Sequence, residues 1–282
     1  MEKDEKQFNN FKVHTQFSIC EGAIKIDDLA EFCKENRLKS IGICDSFNLC
    51  GALEFSEKIS KTGTQPIIGT QINFRFQDYI SKLPLFATSE KGFKNLSRLS
   101  SKSFLEIKPS ESPHCLFDDL LEYNTDVIVL SGGFRDFFGG LFKLNKLKQL
   151  EDLLKKINKY FKDKFYLEIQ RHNEDNEKAF EDYLIATSKK LDIPLIASQE
   201  IFYINKNMHE AHDALICIGE KRFISDINRL KYNDQHYLKK QEELKNLYSD
   251  IPEALENNYN FPYRFHFKVN KNKPNLPKIE TN

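Results

Sequence analysis

Short apolar runs alternate with amphipathic stretches along most of this chain, and no other feature restricts the fold as strongly. Ser40–Cys44 (SIGIC), Val127–Leu130 (VIVL), Phe165–Ile169 and Pro194–Ala197 (PLIA) read as buried strands. Phe11–His14, Pro66–Phe74 and Leu83–Ala87 are further strand candidates. Between them, Ile26–Asn36 sets Leu29, Ala30, Phe32 and Cys33 on one helical face. Helices are also expected at Ala52–Lys61, with Gly63 as its stop, at Gly92–Ser103, over 144–161, at Asn176–Leu191 and over 207–218. Apolar strands alternating with helices argue for a parallel sheet covered by helices, and this many units favour closure into a barrel.

At 282 residues the chain can bury a large core. Its 42 basic and 42 acidic residues cancel, so charge gives no argument for tight duplex binding. The six cysteines lack finger-type spacing, and no apolar run is long enough to span a bilayer. Free thiols in a reducing cytoplasm, with no membrane partner, are expected. A polar, Pro-containing tail over 266–282 reads as a linker, leaving 1–265 as the folded domain.

In such barrels chemistry gathers where strands end. His14, Asp45-Ser46, Gln71, Ser131-Gly133, His172 and Glu200 stand at expected strand ends. His, Asp and Glu are metal-ligand types, although a lone His there is more often a plain hydrogen-bonding residue. Other signals take bland readings. His209-Glu210-Ala211-His212-Asp213 has its histidines three apart instead of the four a metalloprotease helix needs, so Glu210 and Asp213 are expected to face solvent or cap neighbours. Ser131-Gly132-Gly133 lacks the GK[ST] of a phosphate loop. The Lys-rich helix over 144–161 is expected to be a solvated face, and Phe134, Phe137, Phe138 and Phe142 to be core.

Several motifs occur in one collinear order. They are Val13-His14-Thr15-Gln16-Phe17-Ser18 with Glu21-Gly22, Ile43-Cys44-Asp45-Ser46-Phe47-Asn48-Leu49-Cys50-Gly51, Pro66-Ile67-Ile68-Gly69 and Leu130-Ser131-Gly132-Gly133. Leu167-Glu168-Ile169-Gln170-Arg171-His172, Glu210-Ala211-His212-Asp213 and Asp250-Ile251-Pro252-Glu253-Ala254-Leu255-Glu256-Asn257 follow. Together they resemble the amino-terminal PHP domain of bacterial replicative DNA polymerases, the polymerase III alpha subunits. The resemblance implies a distorted (β/α)7 barrel of PHP type, with about 238–265 as a helical link toward a polymerase palm. It also implies a place in DNA replication, within a parent chain that is a DNA-directed DNA polymerase, a nucleotidyltransferase whose active site lies outside this segment.

Intact members of that family hold a metal cluster with His, Asp and Glu side chains. Carried over residue by residue, His14, Asp45, His172 and Glu200 are kept or conservatively changed as vestigial ligands. Lys12, Ser46, Gln71, Gly133 and Phe202 stand where ligands are lost, and Lys82 or Leu83 replaces another. An ammonium at Lys12 repels a metal, and Phe202 offers no donor. No catalytic residue is therefore expected, and no cofactor beyond at most one weakly bound divalent ion (Zn, Mn or Mg). Lys12 is instead expected to pair with Asp45 or Glu200. The expected partners are the rest of the polymerase chain, the proofreading exonuclease subunit and, through the parent holoenzyme, DNA. The expected role is a non-catalytic scaffold and docking platform. The alternative is a metal-dependent phosphoesterase, acting as a 3′–5′ exonuclease or pyrophosphatase.

Overall fold

The computed structural model describes residues 6–273. Its strands are β1 (Lys12–Val13), β2 (Ser40–Ser46), β3 (Gln65–Phe76), β4 (Tyr79–Ala87), β5 (Cys115–Leu116), β6 (Val127–Leu130), β7 (Phe165–Ile169), β8 (Leu195–Ala197) and β9 (Glu200–Ile201). They form one sheet in the order β8-β7-β6-β4-β3-β2-β1-β9, with β5 beside β3. The chain passes from β8 at one edge to β9 at the other through Ser198 and Gln199, so the two edges meet. Taking β8 and β9 as one broken stave, and setting β5 aside, the sheet is a distorted seven-stave barrel.

The barrel is not wholly parallel, contrary to the sequence-based expectation. β4 runs antiparallel to both β3 and β6. Phe76 pairs with Tyr79 across a two-residue turn in which Gln77 takes a φ of 55°. A left-handed residue at that position matches the twist of a tight hairpin, which leaves no room for a crossover helix. Gln77-Asp78 lacks glycine, so the sequence did not announce the turn.

The helices are α1 (Ile26–Glu35), α2 (Ala52–Lys61), α3 (Glu90–Leu105), α4 (Phe117–Glu122), α5 (Phe137–Lys143), α6 (Leu147–Phe161), α7 (Glu177–Leu191), α8 (His209–Glu220), α9 (Gln241–Leu247) and α10 (Pro252–Asn260). Ser89 caps α3 by accepting a hydrogen bond from the Gly92 amide. The expected helix over 144–161 starts later, at Leu147, because Asn145 turns into the left-handed region at a φ of 54° after α5 ends. In α6, Leu150, Leu153, Leu154, Ile157 and Phe161 face inward, which leaves the lysines on the outer face. Phe134, Phe137 and Phe138 are core, and Phe142 packs against it.

Inside the barrel, Phe11, Ile67 and Tyr166 stand near the starts of their staves. Phe261 closes that end from below, with ring centres 4.5 Å from Phe11, 5.7 Å from Phe86 and 6.0 Å from Tyr166. The segment expected as a link at 238–265 therefore plugs the barrel floor. Buried Asn258 fixes α10 there, donating to the Ala197 and Asn9 carbonyls at 2.9 and 3.0 Å. Beyond it, Phe267 packs at a tilt against Phe93 with ring centres 5.6 Å apart, and the Val269 amide donates to Ser56 Oγ at 3.1 Å. Residues 274–282 of the expected tail lie outside the described residues. Among the described residues no helix is long and apolar enough to cross a membrane.

The barrel mouth as candidate metal centre

At the opposite end the strand termini converge on Lys12, whose side chain is fully buried. Its Nζ lies 3.2 Å from Asp136 Oδ2, 3.3 Å from Glu168 Oε1 and 3.8 Å from Glu200 Oε1. Burial works against the ammonium, but the three carboxylates outweigh it and hold Lys12 protonated well above its ordinary range. Glu200, opposed by burial but facing Lys12 and His14, is held well below the usual carboxylate range. Burial dominates at Asp136, which is pushed up to about 6 despite Lys12.

Of the two partners expected for Lys12, Glu200 is present at the longest of the three distances. Asp45 is engaged elsewhere, accepting hydrogen bonds from Thr15 N at 2.6 Å, Thr15 Oγ1 at 2.8 Å and Ser18 Oγ at 2.7 Å. Those three donors lie in the turn after β1, so the Asp45 carboxylate staples that turn to the end of β2.

The mouth does bring the candidate residues together. His14 lies 3.2 Å from both Ser18 Oγ and Glu200 Oε1, which connects Asp45 to Glu200. Gln71 Nε2 donates to Glu200 Oε1 at 2.6 Å. His172 Nε2 accepts from the Glu200 amide at 3.3 Å, and its ring stacks on His236 with centres 4.0 Å apart. At the altered positions, Ser46 Oγ donates to Glu21, which also takes Lys82 Nζ at 2.5 Å. The Gly133 amide donates to Asp136 Oδ2 at 2.8 Å, and a Cβ there would collide with Gln170. Phe202 fills the space between His14, Tyr232, His212 and His236, with centres 4.6 to 5.3 Å away.

This set does not fit a divalent metal cluster. A cluster needs free anionic oxygens and neutral imidazole nitrogens aimed at a common point. Here an ammonium stands among the acids, an amide N–H covers Glu200, and the His172 nitrogen is spent on a backbone amide. Among the described residues no three His, Cys, Asp or Glu side chains are grouped so as to hold a metal ion.

Sequence reasoning missed Asp136, Glu168, Glu21 and His236. Glu168 was legible: Tyr166 lies in the barrel interior while Leu167 and Ile169 join the outer core, so the period of two points Glu168 inward. Asp136 precedes α5, a helix the sequence did not suggest, and His236 sits in a loop with no periodicity. In the His209–Asp213 segment, His212 is buried and meets the Glu21 carbonyl at 2.8 Å. Glu210 is exposed, and of the two roles expected for Asp213 the structure shows a neighbour contact, an ion pair with Arg229 at 2.6 Å.

Comparison with known proteins agrees with the fold. The PHP domain family matches residues 10–172. The chain is 32% identical to the DNA polymerase III subunit alpha of Caulobacter vibrioides, covering 97% of this chain and 25% of that protein. The corresponding subunit of Borreliella burgdorferi is 34% identical over 89% of this chain and 23% of its own length. The chain thus spans about a quarter of the length of these relatives. A solved protein of Bifidobacterium adolescentis, assigned as a metal-dependent phosphoesterase, is similar at a TM-score of 0.49 and 13% identity, over 70% of this chain and 88% of that one. So loose a likeness carries no weight on chemistry. On the match across more than half its length, the chain belongs to the PHP domain family.

Proposed function

We propose that this chain serves as the PHP domain of a DNA polymerase III alpha-type polymerase. In that setting it is a non-catalytic scaffold and a docking platform for the proofreading exonuclease subunit. The observation that carries the first part is Lys12, buried among Asp136, Glu168 and Glu200 where a cluster would need its ligands free. Phosphoester hydrolysis by a metal site requires a bound water whose pKa the metal lowers. A mouth already neutralised by an ammonium has neither the ligands nor the open position for that step. The same argument weighs against a 3′–5′ exonuclease or pyrophosphatase acting through this mouth.

The similarity to alpha subunits over nearly the whole chain supports the setting. Docking is tested by size-exclusion chromatography of the purified chain mixed with the exonuclease subunit from the same organism. Co-elution as one complex is the expected result, and independent elution at tens of micromolar of each removes the docking role.

A further inference from the structure

Three side chains at altered ligand positions, and Lys82 at or beside a fourth, share one property. Lys12, Lys82, Gln71 through Nε2 and Ser46 through Oγ are all donors, and each is aimed at a carboxylate. A metal ion accepts lone pairs from carboxylate oxygens, and an N–H or O–H donor engages the same lone pairs. Replacing ligands by donors therefore satisfies the acids without an ion. The acids need it: side-chain exposure is 3% at Asp136, 0% at Glu168 and 5% at Glu200, and like charges at such depth repel strongly.

We infer that Lys12 and Lys82 are built-in counter-ions that hold the mouth's carboxylates as a divalent cluster would, making the folded barrel independent of metal. Lys12 joins β1 to β7, to β9 and to the loop after β6, so one side chain ties staves from across the barrel. Lys82, on β4, ties that strand to Glu21 in the loop after β1. Glu168 leans hardest on this arrangement. Its Oε1 takes Lys12 and Gln170 Nε2, while its buried Oε2 has no hydrogen-bond partner among the described residues. The inference goes beyond the proposed function, because it concerns folding and stands whether or not the chain docks an exonuclease.

Thermal unfolding of the full chain tests it, with and without EDTA, alongside Lys12→Met, Glu168→Gln and the double variant. Chelation should leave the wild-type Tm unchanged. Lys12→Met should lower Tm by roughly 6 °C or more, since it strands buried carboxylates without a cation. Adding Glu168→Gln should restore at least half of that loss, because it removes one stranded charge while keeping the shape. Lys82→Met should lower Tm less, since that pair is partly exposed. A Tm that falls on chelation, or losses that simply add in the double variant, would overturn the inference. If Lys12→Met does not fold, recovery of folded protein on adding Glu168→Gln and Asp136→Asn supports it, and no recovery contradicts it.

Discussion

The Nζ of Lys12 lies 3.3 Å from Oε1 of Glu168, and solvent reaches neither side chain. The pair joins β1 to β7 through the barrel interior. Because the attraction acts in a water-poor space, the geometry of the mouth depends on it far more than a surface pair would allow. The remaining mouth residues are arranged around that pair, and their predicted behaviour follows from being structural.

Asp45 accepts three hydrogen bonds, and among the described residues no lysine or arginine forms an ion pair with it. Asp45→Ala leaves the Thr15 amide and two hydroxyls without their acceptor, at about 1–3 kcal/mol for the orphaned buried groups. Urea denaturation should show a loss of that size, equal in EDTA and in Mn²⁺. A loss seen in Mn²⁺ alone would make Asp45 a ligand instead.

Phe202 is fully buried among four aromatic or imidazole rings. Phe202→Ala should cost about 3–5 kcal/mol in the same measurement. A cost below about 1 kcal/mol would mean that the mouth collapses freely into the space and that Phe202 is not tightly packed.

Acid should destabilise the fold through its buried histidines. Burial pushes the His212 imidazole down from 6.5 to about 4, and His236 and His172 shift the same way. The groups around His212 are the Glu21 carbonyl, the rings of Phe202, Tyr203 and Tyr232, and the imidazoles of His209 and His236. The folded state keeps His212 neutral where the unfolded state binds a proton, so stability falls as pH drops from 6.5 toward 4. His212→Gln should flatten ΔG against pH in that window by up to about 1.4 kcal/mol per pH unit. An unchanged slope would remove His212 from the acid response.

Phe261 closes the barrel floor against Phe11, Phe86 and Tyr166. Phe261→Ala should cost about 3–5 kcal/mol, and ending the chain at Asn260 should abolish cooperative unfolding. Retention of a sharp transition after that truncation would show the segment to be a detachable link.

How far the sequence could be read depended on whether a signal was periodic or spatial. β6 was legible to the residue because a continuous apolar run needs no context, and β7 was found at the same bounds although Glu168 interrupts its apolar run. The β3–β4 hairpin was not, since its turn rests on a Gln in the left-handed region instead of the usual Asn or Gly. At the mouth, His14, Asp45, His172 and Glu200 could be found because each ends or closely follows a recognisable strand. Glu168 was marked by the period of two. Asp136 and His236 reach the site from loops, where position follows from closure of the whole barrel. The pairing of Lys12 mainly with Asp136 and Glu168, rather than Asp45, was hidden for that reason.

The central claim is that this mouth is a closed ionic core without hydrolytic chemistry. The direct measurement is turnover of single-stranded DNA and of pyrophosphate by the purified chain in Mn²⁺, Mg²⁺ or Zn²⁺, beside Asp45→Asn and His172→Ala. The account predicts rates at the no-protein background for all three proteins. Turnover by the wild type that disappears in either variant would contradict it.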